Sequence, residues 1–166
     1  LTASSLLKML KSDTARTLPY QELRQLPEMM RPIKTSGQLE FRPPDYLAKH
    51  VQKPSAADYI IQAERLRIRE GALGETIEME VSSIPPLQIL SETLRAVFSG
   101  EPSRVEALWT LHLGGSWNRW KLVLTPHEGQ GAIAIREIQI EGQNAQLTRM
   151  ILKEAEGALD TLEFGR

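Results

Sequence analysis

Apolar and polar residues alternate over most of this chain, in short segments separated by Gly, Pro or polar pairs. Period-two segments of this kind predict β-strands, and their regular spacing is typical of a large antiparallel sheet with consecutive strands as neighbours. The pattern indicates about ten strands. They cover Ile33–Phe41, Leu47–Lys53, Asp58–Ala63, Arg65–Glu70, Thr76–Val81, Ala107–Leu113, Arg119–Thr125, Ile133–Glu141, Ala145–Lys153 and Asp160–Phe164.

The residues between these segments predict where the turns lie. Gly114–Ser116 and Glu141–Asn144 lie between alternating runs and contain residues that tolerate positive φ, so they predict tight hairpin turns. A weaker eleventh strand is predicted over Ala15–Gln25, where Pro19 would place it at a sheet edge or in a bulge.

Two segments have helical rather than strand periodicity. Leu6, Leu7 and Leu10 predict a short amphipathic helix within Leu1–Leu10. A second helix is predicted to follow Pro85 and Pro86 and to end at Gly100, and Ser103–Glu106 could add one further turn. The apolar positions of this second helix are Leu87, Leu90, Leu94, Val97 and Phe98. Strands and helices do not alternate, which argues against parallel βαβ folds.

The fold class is therefore mainly β, or α+β: one domain, 1–166, whose long antiparallel sheet curls and is covered by helices. Within the strands one face is apolar and the other is charged. A curled sheet of about ten strands must cover its apolar concave face. Whether helices fill that concavity as a core, or leave a pocket able to accept an acyl chain, stays open at this point.

Composition narrows the function classes. The 166 residues carry a formal net charge of -1, which argues against a nucleic-acid partner, and the absence of Cys excludes thiolate catalysis and Cys-type zinc sites. No run of about 18 apolar residues occurs, so a membrane-spanning helix is not predicted. The chain begins at Leu1 rather than Met, from which we expect a trimmed or processed chain, so that any export signal would lie outside this sequence.

The sequence offers little support for an enzyme. His50, His112 and His127 do not have the spacing of a paired metal site, and no Gly-x-Ser-x-Gly elbow is present. Glu78 and Glu80 share a strand face, but that face is expected to be solvated. We expect the row formed by Arg65, Arg67 and Arg69 to pair across to these acids. No catalytic residue, metal or cofactor is predicted; hydrolysis of acyl substrates through His127 or His112 is the least favoured alternative.

Three segments resemble one known family. Ser36–Leu47 contains Phe41-Arg42-Pro43, Trp120–Pro126 reads Trp-Lys-Leu-Val-Leu-Thr-Pro, and Ile133–Leu152 has the form of a closing strand pair. Together with the order of elements, these resemble the LolA-type periplasmic lipoprotein carriers, most closely the compact LolA-like proteins that accompany pigment or aryl-polyene synthesis genes. The resemblance implies an unclosed β half-barrel of ten to eleven strands with a helical lid over a hydrophobic cavity.

The resemblance also implies site residues. Arg42 matches the family's Arg, whose side chain bonds to the lid and helps hold it shut, and one guanidinium can satisfy several carbonyls at once. Either Tyr46 or Leu47 matches the family's cavity-facing aromatic residue. The expected lipid-binding side chains are Leu39, Phe41, Tyr46, Leu47, Leu66, Ile68, Ile77, Met79, Leu90, Leu94, Phe98, Trp109, Leu111, Trp120, Leu122 and Leu124.

By this resemblance the protein is expected to be a monomeric periplasmic carrier of lipoprotein acyl chains or other lipid. An inner-membrane transporter would load it and an outer-membrane acceptor would empty it. The alternative is a filled, non-transporting accessory that docks a membrane complex or a pigment-biosynthesis enzyme.

Overall fold

The computed structural model describes residues 1–71, 74–128 and 133–165, and within them it contains eleven β-strands and three α-helices. The strands are β1 (Arg16–Gln25), β2 (Ile33–Arg42), β3 (Tyr46–Lys53), β4 (Ala57–Gln62), β5 (Arg65–Glu70), β6 (Thr76–Glu80), β7 (Thr110–Ser116), β8 (Arg119–Thr125), β9 (Ile135–Gln143), β10 (Gln146–Glu154) and β11 (Leu159–Phe164). The helices are α1 (Ala3–Met9), α2 (Pro85–Phe98) and α3 (Pro102–Leu108), and a 3₁₀ turn, Val81–Ser83, leads into α2.

All eleven strands form one antiparallel sheet in the order β6-β5-β4-β3-β2-β1-β11-β10-β9-β8-β7. Strands β6 and β7 are the two edges, so the sheet formed by the described residues does not close on itself. Nearly every strand pairs with its neighbour in sequence, as short hairpin connections require. The one long-range pairing joins β1 to β11 and brings the two ends of the chain to the middle of the sheet. The predicted unclosed antiparallel sheet with helices is confirmed.

The prediction that Pro19 places its strand at an edge or in a bulge was wrong, because β1 lies at the centre of the sheet and its pairing with β2 has no register shift at Pro19. Pro19 pairs with Gln38 on β2, whereas the pairing of β1 with β11 begins only at Tyr20 and Phe164. The Pro19 carbonyl accepts from the Gly165 amide, so the nitrogen of Pro19 also points toward the β11 side. Since β11 has ended there, the missing N–H removes no bond from the ladder.

Strand β7 starts and ends later than predicted. The stretch predicted as a strand from Ala107 begins instead in helix α3, which has Pro102 in its first turn. Strand β7 then runs through Gly114 and Gly115, which were predicted as a turn. At Gly115 a side chain would collide with the Arg119 carbonyl, 2.2 Å from a Cβ, so this glycine serves the close approach of two strands.

The next hairpin shows the same shift. Strand β9 continues through Gly142 to Gln143, and the turn is made by Asn144, which has a positive φ of 52°. Gly142 faces the Trp120 indole, and a Cβ at this position would lie 2.2 Å from the ring. The glycine therefore makes room for a buried aromatic side chain rather than for a turn.

The half of the sheet formed by β7 to β9 is closed by the protein's own side chains. Leu6 and Leu7 of α1 and Leu10, which caps it, are fully buried against this half, as are Trp109 and Trp120. The core continues across the sheet through the inward-facing residues of β8 and β9. They include Leu122, Leu124, Ile135, Ile138 and Ile140. This half is filled in the manner of an ordinary hydrophobic core.

We predict that Gly142→Ala destabilises this filled half. The added methyl group must displace either the Trp120 ring or the Gln146 carbonyl, which lies 2.6 Å from its position, and overpacking of this kind costs about 1–3 kcal/mol. Urea unfolding gives the free energy of unfolding. Gly114→Ala is the matched control, because nothing lies within 4 Å of its Cβ. Equal stability of the two variants would contradict the assigned packing.

Candidate functional site: a cavity beneath helix α2

Alternation along the strands gives the sheet an inner face that meets the helices and an outer face. Register places Leu39 and Phe41 of β2 beside Leu47 of β3, and continues this inner face through Ile61 to Leu66. The outer face carries the intervening polar residues. Helix α2 covers only part of the inner face. The space beneath its first turns is therefore where a ligand could bind.

A cavity of about 690 Å³ lies between the N-terminal half of α2 and the inner face of the sheet. Pockets of roughly 300 to 1,000 Å³ are the usual size for small-molecule ligands. Its apolar lining includes Leu39, Leu47, Ile61 and Ile68 from the sheet and Leu87, Leu90 and Leu94 from the helix. The concavity is thus filled in one half of the molecule and open in the other.

Three hydrogen bonds fix helix α2 above this cavity. The Trp109 indole Nε1 donates to the Thr93 hydroxyl at 2.9 Å, and the Ser12 amide donates to the carbonyl of Phe98 at 3.0 Å. On the side of the β4–β5 turn, Arg95 Nη2 donates to the Ala63 carbonyl at 2.9 Å. The first two bonds anchor the C-terminal half of α2 to the filled core. The third ties the helix to the rim of the open half.

The far end of the cavity wall is polar, which the sequence pattern did not indicate. Glu22 is 5% exposed, accepts from the Thr35 hydroxyl at 2.9 Å and forms an ion pair with Lys49. Arg24 Nη1 lies 2.7 Å from a Glu154 carboxylate oxygen and 3.7 Å from a carboxyl oxygen of Asp160. These side chains come from β1, β2, β3, β10 and β11. We call this group of six the polar wall.

Two carboxyl groups of the polar wall, Glu22 and Asp160, interact closely enough that each shifts the pKa of the other. Although burial acts to raise the pKa of Glu22, its hydrogen bonds with Asp160 and Lys49 outweigh burial and hold that pKa below its ordinary value. Burial, followed by the hydrogen bond and the charge of Glu22, raises the pKa of Asp160 to about 8. Asp160 is therefore the partner that retains a proton near neutral pH.

The predicted lipid-binding residues separate into groups. Five line the large cavity: Leu39, Leu47, Ile68, Leu90 and Leu94. Phe41 and Phe98 lie just beyond it, with ring centroids 4.9 Å apart, and line an adjoining space of about 20 Å³. Both the strand spacing and the helix spacing therefore brought together side chains that share one cavity.

The remaining predicted residues lie elsewhere. Trp109, Leu111, Trp120, Leu122 and Leu124 pack in the filled half, away from the large cavity. Strand pairing places their half of the inner face at the opposite end of the sheet from β4 and β5. In this conformation they act as core.

Near the other edge of the sheet, Leu66 and Met79 belong to a small second core beside the cavity. Ile77 faces inward from edge strand β6 but is 54% exposed. Tyr46 is directed to the outer face, where Arg42 stacks over its ring at 4.6 Å. Of the two residues that could match the family's aromatic position, Leu47 is the one that lines the cavity.

Arg42 lies on the outer face and forms a 2.7 Å ion pair with Glu40. The contact expected of Arg42, from the sheet to the lid, is made in this conformation by Arg95, which comes from the helix itself. A latch role for Arg42 stays a prediction, and it would require the Arg42–Glu40 pair to open.

On the outer face the predicted pairing with acids is present at Arg65 and Arg67, whereas Arg69 lies opposite Thr76. Arg65 lies 3.2 Å from Glu80, and Arg67 lies 3.2 Å from Glu78. His50 also lies on this face, between Glu40 at 3.1 Å and Asp58 at 2.7 Å. Although burial acts to lower the pKa of His50, its hydrogen bonds to these two carboxylates raise it. His50 therefore lies on the face opposite the cavity, and its contacts with Glu40 and Asp58 are structural surface pairs.

Comparison with known proteins completes the assignment. The sequence profile described as "Outer membrane lipoprotein carrier protein LolA-like" matches residues 1–162. The chain belongs to this LolA-like family. No protein among those with curated descriptions matches the chain in sequence. Among the described residues, no helix is long and apolar enough to cross a bilayer, and no cluster of His, Asp or Glu has the arrangement of a metal site.

Solved structures show the same fold as this LolA-like chain. A LolA superfamily protein from Nitrosomonas europaea is similar with a TM-score of 0.50 and 10% identity, over 100% of this chain and 92% of that one. A DUF1329 family protein from Desulfovibrio piger has a TM-score of 0.54 and 10% identity, over 98% of this chain and 88% of that one. At such low identity the likeness concerns the fold alone.

The polar wall predicts a pH dependence of stability. Because the pKa of Asp160 is raised in the folded state, its protonated form stabilises the fold fully below about pH 4, and this contribution is lost as the pH rises through about 8. In Asp160→Asn the side chain can donate to Glu22 at every pH. We expect the free energy of unfolding of this variant to fall less between pH 5 and pH 8 than that of the unmodified chain.

The measurement is urea unfolding at pH 5, 6.5 and 8. Glu137→Gln, which removes an outer-face partner of Lys153, is the control and should keep the unmodified pH profile. If Asp160→Asn also kept that profile, Asp160 would not be the buried titrating group.

Proposed function

We propose that this LolA-like protein carries lipid-modified protein or another lipid-like cargo through the periplasm toward the outer membrane. The cavity of about 690 Å³ beneath α2 carries this proposal, because it is apolar, lies within a rigid sheet and is covered by a helix. The family description, an outer membrane lipoprotein carrier, supports the same role. In this proposal the acyl chain lies along Leu39, Leu47 and Ile68 of the sheet, beneath Leu90 and Leu94 of the helix.

Energetics constrain how such a carrier works. Burial of one CH₂ from water gains about 0.8 kcal/mol, so a lipid with ~30 methylenes would gain ~24 kcal/mol on entering a dry cavity from water. Cargo that leaves a membrane is already dry, so the net transfer free energy is close to zero. The direction of transfer must then come from a loading transporter and a tighter acceptor, which are the partners that this proposal requires.

We predict that filling the cavity abolishes lipid uptake. Ala57 lines the cavity from β4, and Ala57→Trp should weaken the binding of a fluorescent fatty acid by at least about tenfold, because the indole occupies the space that the acyl chain needs. The control is Gln62→Trp, which adds the same indole to the outer face of the same strand.

Mass spectrometry of organic extracts from gently purified protein gives an independent test. The unmodified chain and Gln62→Trp should retain acyl species, whereas Ala57→Trp should not. If the unmodified chain neither retains acyl species nor takes up the fluorescent fatty acid, the carrier role fails and the non-transporting accessory role takes its place.

The attachment of helix α2 should control the rate of cargo release. Arg95→Met removes the bond to the Ala63 carbonyl, and loss of about 1 kcal/mol from the closed form should speed release about fivefold, measured by stopped-flow transfer of the fluorescent fatty acid to vesicles. Arg42→Leu tests the latch predicted from the family resemblance in the same assay. Faster release in Arg42→Leu alone would assign the latch to Arg42, and unchanged release in both variants would show that neither arginine limits opening.

A further inference from the structure

The polar wall lies at one end of a cavity that is otherwise apolar. Six acidic or basic side chains line the cavity: three carboxylates (Glu22, Glu70 and Glu154), two cations (Arg24 and Lys49), and Asp160, which retains a proton near neutral pH. A carrier that only enclosed acyl chains would have no use for such groups, since burial of charged side chains is costly unless they are paired. Their position, where the end of a lipid would lie, indicates that they contact its polar part.

Both cations of the polar wall are already engaged by carboxylates. Lys49 pairs with Glu22, which is itself almost fully buried. Arg24 is held between Glu154 and Asp160, at 2.7 and 3.7 Å. An anionic headgroup would therefore have to displace an existing pair before it could bind either cation.

The hydrogen-bonding capacity that remains in the polar wall is mainly that of acceptors. Each carboxylate has two oxygens and about four lone-pair sites, and the contacts described above occupy only part of them. At the rim Glu70 adds a further carboxylate, which accepts from the Tyr59 hydroxyl at 3.4 Å. A headgroup with O–H or N–H donors can use these oxygens, whereas a phosphate or carboxylate meets three carboxylates and two cations that are already paired.

We propose that this end of the cavity recognises the polar head of the cargo, and that it selects a hydrogen-bond-donating head without anionic charge, such as a hydroxyl or amine group. This inference rests on the proposed carrier function. It adds a preference among lipids with the same acyl chain: the apolar part of the cavity takes the chain, and Glu22, Glu154 and Asp160 take the head.

The experiment compares lipids that share one chain and differ only in the head. Tetradecylamine, 1-myristoylglycerol and 1-myristoyl lysophosphatidic acid compete against a bound fluorescent fatty alcohol, a probe whose head carries no anionic charge, each below its critical micelle concentration. We expect the amine and the glycerol ester to displace the probe at concentrations at least about tenfold lower than the lysophosphatidic acid does.

Two variants test the role of the polar wall. Glu154→Gln removes one carboxylate and frees Arg24, so the lysophosphatidic acid should bind more tightly and the preference should shrink to about threefold or less. Glu70→Gln gives a second, independent reduction of negative charge, at the rim of the cavity, if the first variant folds poorly. Glu137→Gln, on the outer face, should keep the full preference.

The outcomes separate this inference from the carrier role. If the probe binds but all three lipids displace it equally, or the lysophosphatidic acid displaces it best, the headgroup preference is wrong while the carrier role stands. If the probe does not bind at all, the carrier role itself fails. Loss of preference in Glu137→Gln as well would assign the effect to overall charge rather than to the polar wall.

Discussion

A single buried hydrogen bond, from the Trp109 indole to the Thr93 hydroxyl, determines how the rest of this molecule is arranged. It joins the middle of helix α2 to the start of strand β7, and the C-terminal end of the same helix is capped by the Ser12 amide. The helix is thereby fixed to the half of the sheet that its own side chains fill. Its first turns extend over the other half, where the space beneath them stays open.

This asymmetry lets a stable fold keep an open cavity. An apolar cavity contributes little to stability, because the residues that line it lack packing partners on one side. The stability must come from elsewhere, and here it comes from the leucines of α1 and from Trp109 and Trp120 on the opposite half of the inner face. Because one rigid sheet spans both halves, the filled half can maintain the shape of the empty one.

Much of the fold could be predicted from the sequence. Period-two alternation identified the strands, and the spacing of Leu90 and Leu94 identified the helix that covers the cavity. The errors came from glycine and proline residues whose structural role depends on tertiary contacts. Gly115 and Gly142 were taken as turn residues although strand and indole contacts require their small size. Pro19 was taken as an edge residue although its neighbouring strand simply ends there.

The site was harder to predict than the fold. Apolar residues of both halves have the same alternation, so no local pattern separates Trp120 in the filled core from Ile68 beside the cavity. The polar wall was missed for a related reason: Glu22 and Arg24 follow the same inward periodicity as Leu18 and Tyr20, and acidic or basic residues in a strand were assigned to solvent. One signal could have identified the polar wall. The inward-facing positions of β1 continue without a break from Leu18 and Tyr20 into the charged residues Glu22 and Arg24.

The open sheet also has free edges, and the charge pairs between β5 and β6 have a second consequence at one of them. If two copies of β6 paired antiparallel about their centres, Glu78 of one copy would lie directly opposite Glu78 of the other, and Glu80 of each copy would lie nearby. The arginine that pairs with Glu80 is on β5, on the other side of the strand, and would not separate the facing carboxylates. Natural sheets use charge in this way to prevent their edges from joining into extended fibres. This arrangement disfavours the pairing of two copies along β6, the free edge that the unclosed sheet leaves.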